Sequence, residues 1–236
     1  MLNIDKVFCI NIKTSIERKK QFEENFPELI NSPIFEWYHP ERDNENPKRG
    51  CYNSHRNIWL LAKERNYSNI IIFEDDSKLL VTWQKFVDTI NNIEYPDNWK
   101  LIQLGYLPFR TNVYNKTLVS ISSSICAHSY IENVNNVFIP EFNGLEIDRY
   151  FLIPDISYFF LNKNLDGMYG IYPTMLVKQN SDKSTISPYR NNLGTLEYDR
   201  DTLLKISTNI NLYLFVGIIF IMFVIILIIF IAYKFS

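Results

Sequence analysis

The run Ile70-Ile71-Ile72-Phe73 is the strongest constraint on this chain. Ile and Phe favour extended backbone, and successive side chains of a strand point to opposite faces. A strand that is apolar at every position has to be covered on both faces, which calls for helices on either side of a sheet. The run ends in Glu74, Asp75 and Asp76. Three adjacent carboxylates repel one another and are expensive to bury, so something must compensate them there. In open α/β sheets the space beyond the carboxyl ends of the strands is where ligands bind.

The flanking sequence alternates strand and helix patterns. "VFCINI" near the N-terminus reads as a first strand and is too short for the apolar region of a signal peptide. "TSIERKKQFEENF" reads as a helix, with Thr14 and Glu17 spaced as a capping box and Phe22, Phe26 and Leu29 on one face. Asn31 to Gly50 is rich in proline and charge and reads as a short strand followed by an exposed loop. "SHRNIWLLAKERN" reads as a helix with Ser54 at its N-cap, and it leads into the apolar strand. A helix over Trp83–Ile93 and a strand over Leu101–Gly105 follow, then short antiparallel strands and loop from Pro108 to about Ser124. The alternation predicts an α/β sheet.

Composition narrows the chemistry. A net charge of −2 gives no support for a nucleic-acid partner held through its phosphates. There are seven glycines and no Gly-rich phosphate-binding motif, so a bound nucleotide would need a metal or side chains to hold its phosphates. The three cysteines, Cys9, Cys51 and Cys126, form no C-x-x-C pair and read as buried thiols of a reducing compartment.

The C-terminal part carries a second strong signal. Leu212 to Tyr233 runs for 22 residues without a charge, and 17 of them are Leu, Ile, Val or Phe. Such a run makes about 33 Å of helix, enough to cross the hydrocarbon core. The expected organisation is a domain over 1–186, a polar linker over 187–211, a transmembrane helix over 212–233 and a short tail over 234–236. This predicts a single-pass, tail-anchored membrane protein. With no N-terminal signal to translocate the large domain, that domain is expected on the cytosolic side.

Strand alternation would let Glu74 and Asp76 point one way and Asp75 the other. Two converging carboxylates suit a hard divalent cation, Mn²⁺ or Mg²⁺, which can also bridge a diphosphate. The tripeptide alone fits equally well an acidic loop, solvated or capping the next helix. Ser54 and His55 at a helix N-terminus would favour an anion; His55 could face a diphosphate or cap its helix.

Five segments in order carry a resemblance. "VFCINIKTSIERKKQFEENF", "GCYNSHRNIWLLAKERNYSNIIIFEDD", "CAHSYI", "EIDRYF" and "YGIYPTMLVKQNSDKSTI" together resemble glycosyltransferase family 25, over about Lys6 to Ile186. That family includes lipopolysaccharide-assembly glycosyltransferases and procollagen galactosyltransferases. The resemblance implies a GT-A-like nucleotide-sugar-binding domain with a mixed, mostly parallel sheet. It implies metal-dependent, inverting transfer of a hexose, galactose or glucose, from a UDP-sugar to a hydroxyl of a glycan or protein acceptor. Carried over residue by residue, Asn11, Arg18, Ser54, His55, Asp75 and His128 would form the nucleotide-sugar pocket. Glu74 and Asp76 would hold the cation. Asp148 would be the base that deprotonates the acceptor, with Glu146 in reserve. The rival expectation is a catalytically inactive relative, a membrane-anchored glycan- or nucleotide-binding protein or a structural envelope component.

Overall fold

A computed structural model of the chain describes residues 3–125, 128–139, 141 and 167–179. The expected linker, transmembrane helix and tail lie outside these residues, as do Glu146 and Asp148. Among the described residues no helix is long and apolar enough to cross a membrane. The elements run β1 (Lys6–Ile10), α1 (Ile16–Asn25), α2 (Pro27–Ile30), β2 (Phe35–Tyr38), α3 (Pro47–Glu64), β3 (Asn69–Glu74), β4 (Ser77–Leu79) and α4 (Trp83–Asn91). They continue with β5 (Leu101–Gln103), β6 (Leu107–Val113), β7 (Leu118–Ile125), β8 (Ser129–Asn133), β9 (Met168–Ile171) and β10 (Val177–Gln179).

The apolar strand is covered on both faces, as its composition demands. Ile70 and Ile72 pack on one side with Ile58, Trp59 and Ala62 of α3. Ile71 and Phe73 pack on the other with Phe22 of α1, Phe26 just after it, and Phe86 and Ile90 of α4. All four are buried, and each such side chain stabilises the fold by about 1.5–3 kcal/mol relative to exposure. Aromatic contacts knit the second layer: Phe26 lies 5.0 Å from Phe73 and 4.4 Å from Phe22, ring centre to ring centre.

One sheet has the order β2-β1-β3-β8-β5-β9-β7-β6, and β4 and β10 form a separate antiparallel pair. Strands β2, β1 and β3 are mutually parallel. Strand β8 runs antiparallel between β3 and β5, and β9 is parallel to β5. Strand β7 is antiparallel to both β9 and β6. Six of these eight strands thus run one way, the mixed and mostly parallel sheet that was expected. The chain leaves β1 through α1 to reach β2, then returns through α3 on the opposite face to reach β3. The connections therefore diverge at β1, which opens a crevice at the carboxyl ends of β1 and β3.

Two expected helix starts are corrected. Helix α3 begins at Pro47, not at Ser54, and its N-cap is Asn46, whose side chain accepts from the Arg49 backbone N–H at 3.0 Å. The proline and glycine that read as loop are inside the helix. Proline is favoured at the first helical position because its missing N–H has no partner there anyway. Gly50 is required by the close approach of Asp43, whose Cβ would lie 2.9 Å from an added Cβ. Ser54 is instead a buried residue further along α3, donating to the Gly50 carbonyl. The Thr14–Glu17 capping box does not form either: α1 starts one residue later than that spacing requires, with Ser15 at the N-cap and no side-chain cap bond.

Strand β10 reaches the site by crossing Gly105. The Leu104 carbonyl accepts from the backbone N–H groups of Leu176 and Val177, at 2.9 and 3.2 Å. A Cβ on Gly105 would stand 2.0 Å from the Val177 carbonyl oxygen, closer than any atoms pack. Gly105→Ala is therefore expected to push β10 away and to cost about 1–3 kcal/mol, as overpacking does. A thermal melt should show Tm lower by several degrees; an unchanged Tm would mean that β10 is not held at this crossing.

Candidate functional site

Strand β3 ends at Glu74, and the chain turns at Asp75 and Asp76 before β4. Side-chain alternation therefore stops at Glu74, and the pairing expected from it is not the one observed. Asp75 and Asp76, not Glu74 and Asp76, share a partner. One Arg18 Nη2 lies 2.6 Å from Asp75 Oδ1 and 2.8 Å from Asp76 Oδ2. Arg18 reaches them from the first turn of α1, on the layer that covers Phe73.

Further donors fix both aspartates. Asn11, just past β1, gives Asp75 Oδ2 a hydrogen bond of 2.7 Å, and its amide also donates to the Ser15 carbonyl at 3.2 Å. The Asn11 carbonyl accepts from His39 Nδ1, at 2.8 Å. Gln179, at the end of β10, donates to Asp76 Oδ2 at 3.0 Å. Asp76 is about nine-tenths buried, and its other oxygen, Oδ1, has no hydrogen-bond partner among the described residues. Such an orphaned buried acceptor is costly unless something fills the space beside it.

Glu74 faces a different set. Its Oε1 accepts from His55 Nε2 at 3.3 Å and lies 4.0 Å from Cys51 Sγ. Since a carboxylate can only accept, His55 Nε2 carries the proton, and the Tyr130 hydroxyl is hydrogen-bonded to Nδ1 at 2.7 Å. Cys51 and His55 stand one turn apart on α3 and so share a helix face. The ligand atoms of Cys51, His55 and Glu74 lie within 4.8 Å of one another. The Glu74 backbone N–H is fixed by the His128 carbonyl at 2.8 Å, which also accepts from Ser77 Oγ at 2.7 Å.

The carboxyl groups diverge electrostatically. Burial pushes Glu74 up, but the hydrogen bond and charge of His55 outweigh it and hold Glu74 below the usual carboxylate range. Burial raises Asp75, with Arg18 pulling the other way. Burial pushes Asp76 up to about 7 against Arg18, and the neighbouring Glu74 and Asp75 charges add to the rise. Arg18 itself is held more firmly charged: burial opposes the charge, and Asp76 and Asp75 more than offset that.

Arg18, His55, Glu74 and Asp75 open into a cleft of about 670 Å³, partly continuous with solvent; Asn11 and Asp76 are not among its walls. Its walls include Ile10 and Ile12 after β1, Ser15 and Arg18 of α1, and Cys51, Ser54 and His55 of α3, with Glu74 and Asp75 at its end. The loop before α3 forms the outer wall through Pro40 and Asp43. Asp43 is pinned to α3 by Arg49, whose hydrogen bonds hold the Asp43 carboxyl down to about 2.

Of the residues expected from sequence, Asn11, Arg18, Ser54, His55, Glu74, Asp75 and Asp76 are thus brought to one strand end. His128 is not among the cleft walls: its ring is buried, with Nε2 close to Gly105, and its contribution is the backbone carbonyl that holds Glu74. Ser54 and His55 lie inside α3 rather than at its N-terminus, so the helix dipole argument does not apply to them. Cys51, Tyr130 and Gln179 also take part in this network. The four-residue step from Cys51 to His55 on a helix is the one signal that could have flagged the first. The other two arrive through sheet topology.

The charge balance is testable through stability. A carboxyl raised in the folded state binds its proton more tightly than in the unfolded chain. Its contribution is therefore present at acid pH and lost as pH climbs from the ordinary carboxylate range to about 7 for Asp76. Arg18→Met removes the opposing cation, so Asp76 rises further and the loss extends to higher pH. The variant should lose about 3 kcal/mol near pH 8 and clearly less near pH 5, where protonation relieves the unpaired carboxylate charge. Tm at the two pH values reads this; an equal loss at both would show that Arg18 acts through packing alone.

No curated protein matches the sequence. Among solved structures, a glycosyltransferase involved in the glycosylation of the major capsid of PBCV-1 is similar at 10% identity, with 86% of this chain and 100% of that one covered and a TM-score of 0.49. A Drosophila β-1,4-galactosyltransferase 7 mutant, in complex with manganese, UDP-Gal and xylobiose, is similar at 10% identity, over 85% of this chain and 79% of that one, with a TM-score of 0.40. Both are remote likenesses. The family model described as glycosyltransferase family 25 (LPS biosynthesis protein) matches residues 34–162, more than half of the chain. That stretch contains α3, Glu74, Asp75 and Asp76, and on it we conclude that the chain belongs to glycosyltransferase family 25.

Proposed function

We propose that this glycosyltransferase is metal-dependent and inverting, and that it moves a hexose from a UDP-sugar to a hydroxyl of a glycan or protein acceptor. The observation that carries the reading is the charge left over at the end of β3. Two aspartates share one guanidinium there, with Glu74 beside them on His55, and Asp76 Oδ1 is buried without a hydrogen-bond partner among the described residues. An oxygen donor set with surplus negative charge suits a hard divalent ion. Glu74 and Asp76 would hold Mn²⁺ or Mg²⁺, which supplies positive charge to the diphosphate leaving group when bound.

The chain's own residues do the rest. Arg18 is clamped by two aspartates at the mouth of α1, where the amides of the first helical turn favour a phosphate oxygen. Asn11 orients Asp75 toward the cleft, where its carboxylate suits a ribose or sugar hydroxyl. The acceptor oxygen attacks the anomeric carbon opposite to UDP, the bond to the diphosphate oxygen breaks, and a carboxylate takes the acceptor's proton. Asp148 is that base on the strength of the family resemblance, with Glu146 as its alternate.

Two outcomes test this. Asp76→Asn should lower turnover of a UDP-sugar by about 10²-fold or more while Tm holds or rises, because the substitution removes charge from a strand end without opening the core. Turnover that is indifferent to this change, or to EDTA, would remove the cation from the mechanism. Asp148→Asn should abolish transfer but leave UDP-sugar affinity within about threefold in calorimetry, as expected for a group acting only in the transition state. Loss of donor binding in that variant would move Asp148 to the donor site.

A further inference from the structure

We infer that Cys51, His55 and Glu74 form a second metal site in the same cleft, one that takes a borderline-soft divalent ion, Zn²⁺ foremost. The three residues offer a sulfur, a nitrogen and an oxygen, all within 4.8 Å of one another. Bonds of about 2.0–2.3 Å to one ion need these atoms somewhat closer. Cys51 Sγ to Glu74 Oε1 is 4.0 Å and His55 Nε2 to the same oxygen is 3.3 Å, so small side-chain rotations close the gap. All three residues line the cleft, which leaves a fourth position for water or a ligand oxygen.

The surroundings are those of a metal-bound imidazole. A ligating histidine usually anchors its other ring nitrogen on a fixed polar group. His55 Nδ1 lies 2.7 Å from the Tyr130 hydroxyl, and both side chains are buried, so the ring cannot turn away. On binding, the neutral His55 ring changes tautomer: Nε2 gives up its proton to become the ligand, Nδ1 takes one up and donates it to the Tyr130 hydroxyl, and the ring loses no net proton. The Cys51 thiol loses its proton, since the thiolate is the ligand. A hydrogen-bonded trio without metal explains the His55–Glu74 pair. The Cys51–Glu74 contact, at 4.0 Å, is at the outer limit of a hydrogen bond. Thiolate discriminates against Mn²⁺ and Mg²⁺, so this ligand set differs in metal preference from the all-oxygen set of Glu74 and Asp76, with Glu74 common to both. The inference does not rest on the donor sugar or on transfer.

The test uses the full chain in detergent, stripped with a chelator and titrated with Co²⁺. A thiolate-to-cobalt charge-transfer band should appear in the near ultraviolet, and Zn²⁺ should displace it at one equivalent, whereas Mn²⁺ at the same concentration should not. Cys51→Ser should abolish the band and weaken Zn²⁺ binding by about 100-fold, Cys126→Ser should leave it, and Tyr130→Phe should weaken binding by about 10-fold. Asp76→Asn should keep the band, which separates this site from the cation proposed at Asp76. In the unaltered chain, Zn²⁺ should also protect the Cys51 thiol from alkylation, a reading that does not depend on any variant folding. Absence of the band and of protection, a band that survives in Cys51→Ser, or equal displacement by Mn²⁺ would overturn the site.

Discussion

The architecture depends on the need to cover β3 on both faces. Ile70 and Ile72 require one helical layer and Ile71 and Phe73 another. A chain that supplies both layers with consecutive right-handed crossovers must send one connection to each side of the sheet. Here α1 goes one way from β1 and α3 comes back the other way. The crevice at the carboxyl ends of β1 and β3 follows from that divergence rather than from any residue within it. The acidic tripeptide then occupies the one part of β3 that the core does not need.

Placing three carboxylates there has to be offset locally. Arg18 neutralises one charge, Asn11 donates to the free Asp75 oxygen, and Gln179 donates to the Asp76 oxygen that Arg18 also holds. Asp76 carries the residual penalty and is pushed up to about 7 by its burial. Glu74 escapes it through His55. The carboxylates therefore divide by environment into an aspartate pair under Arg18 and a glutamate under His55. The cleft thus presents two electrostatic faces, and a ligand with separate anionic and cation-binding parts can use both.

Much of this was legible before the fold was known, and what was not has identifiable causes. Four apolar residues in a row cannot hide their need for two covering layers, so β3 and its position at a ligand-binding edge could be read directly. The hairpin of β6 and β7 was legible from its short strand patterns. The start of α3 was not, because "NPKRG" has the composition of a loop and becomes helical through Asn46 capping and the contact of Gly50 with Asp43. The pairing of Asp75 with Asp76 was misread because alternation applies only while the strand lasts, and the strand ends at Glu74, two residues before Asp76. Gln179 and Tyr130 are more than fifty residues from the groups they bond and reach them only through the sheet order.

The corrected start of α3 changes what that helix does. A helix beginning at Ser54 would have offered its first-turn amides to a phosphate, with His55 beside them. A helix beginning at Pro47 puts its free amides near the outer loop instead, where Asn46 occupies one of them. Cys51 and His55 then fall in the second and third turns, facing Glu74. In the proposed reading an anion is met from the other wall, by Arg18 and the N-terminal turn of α1. The two helices that meet at the cleft thus contribute opposite chemistry: α1 a cationic end, and α3 a set of electron-pair donors. That opposition follows from where each helix starts, set for α3 by Asn46 and Pro47 and for α1 by Ser15.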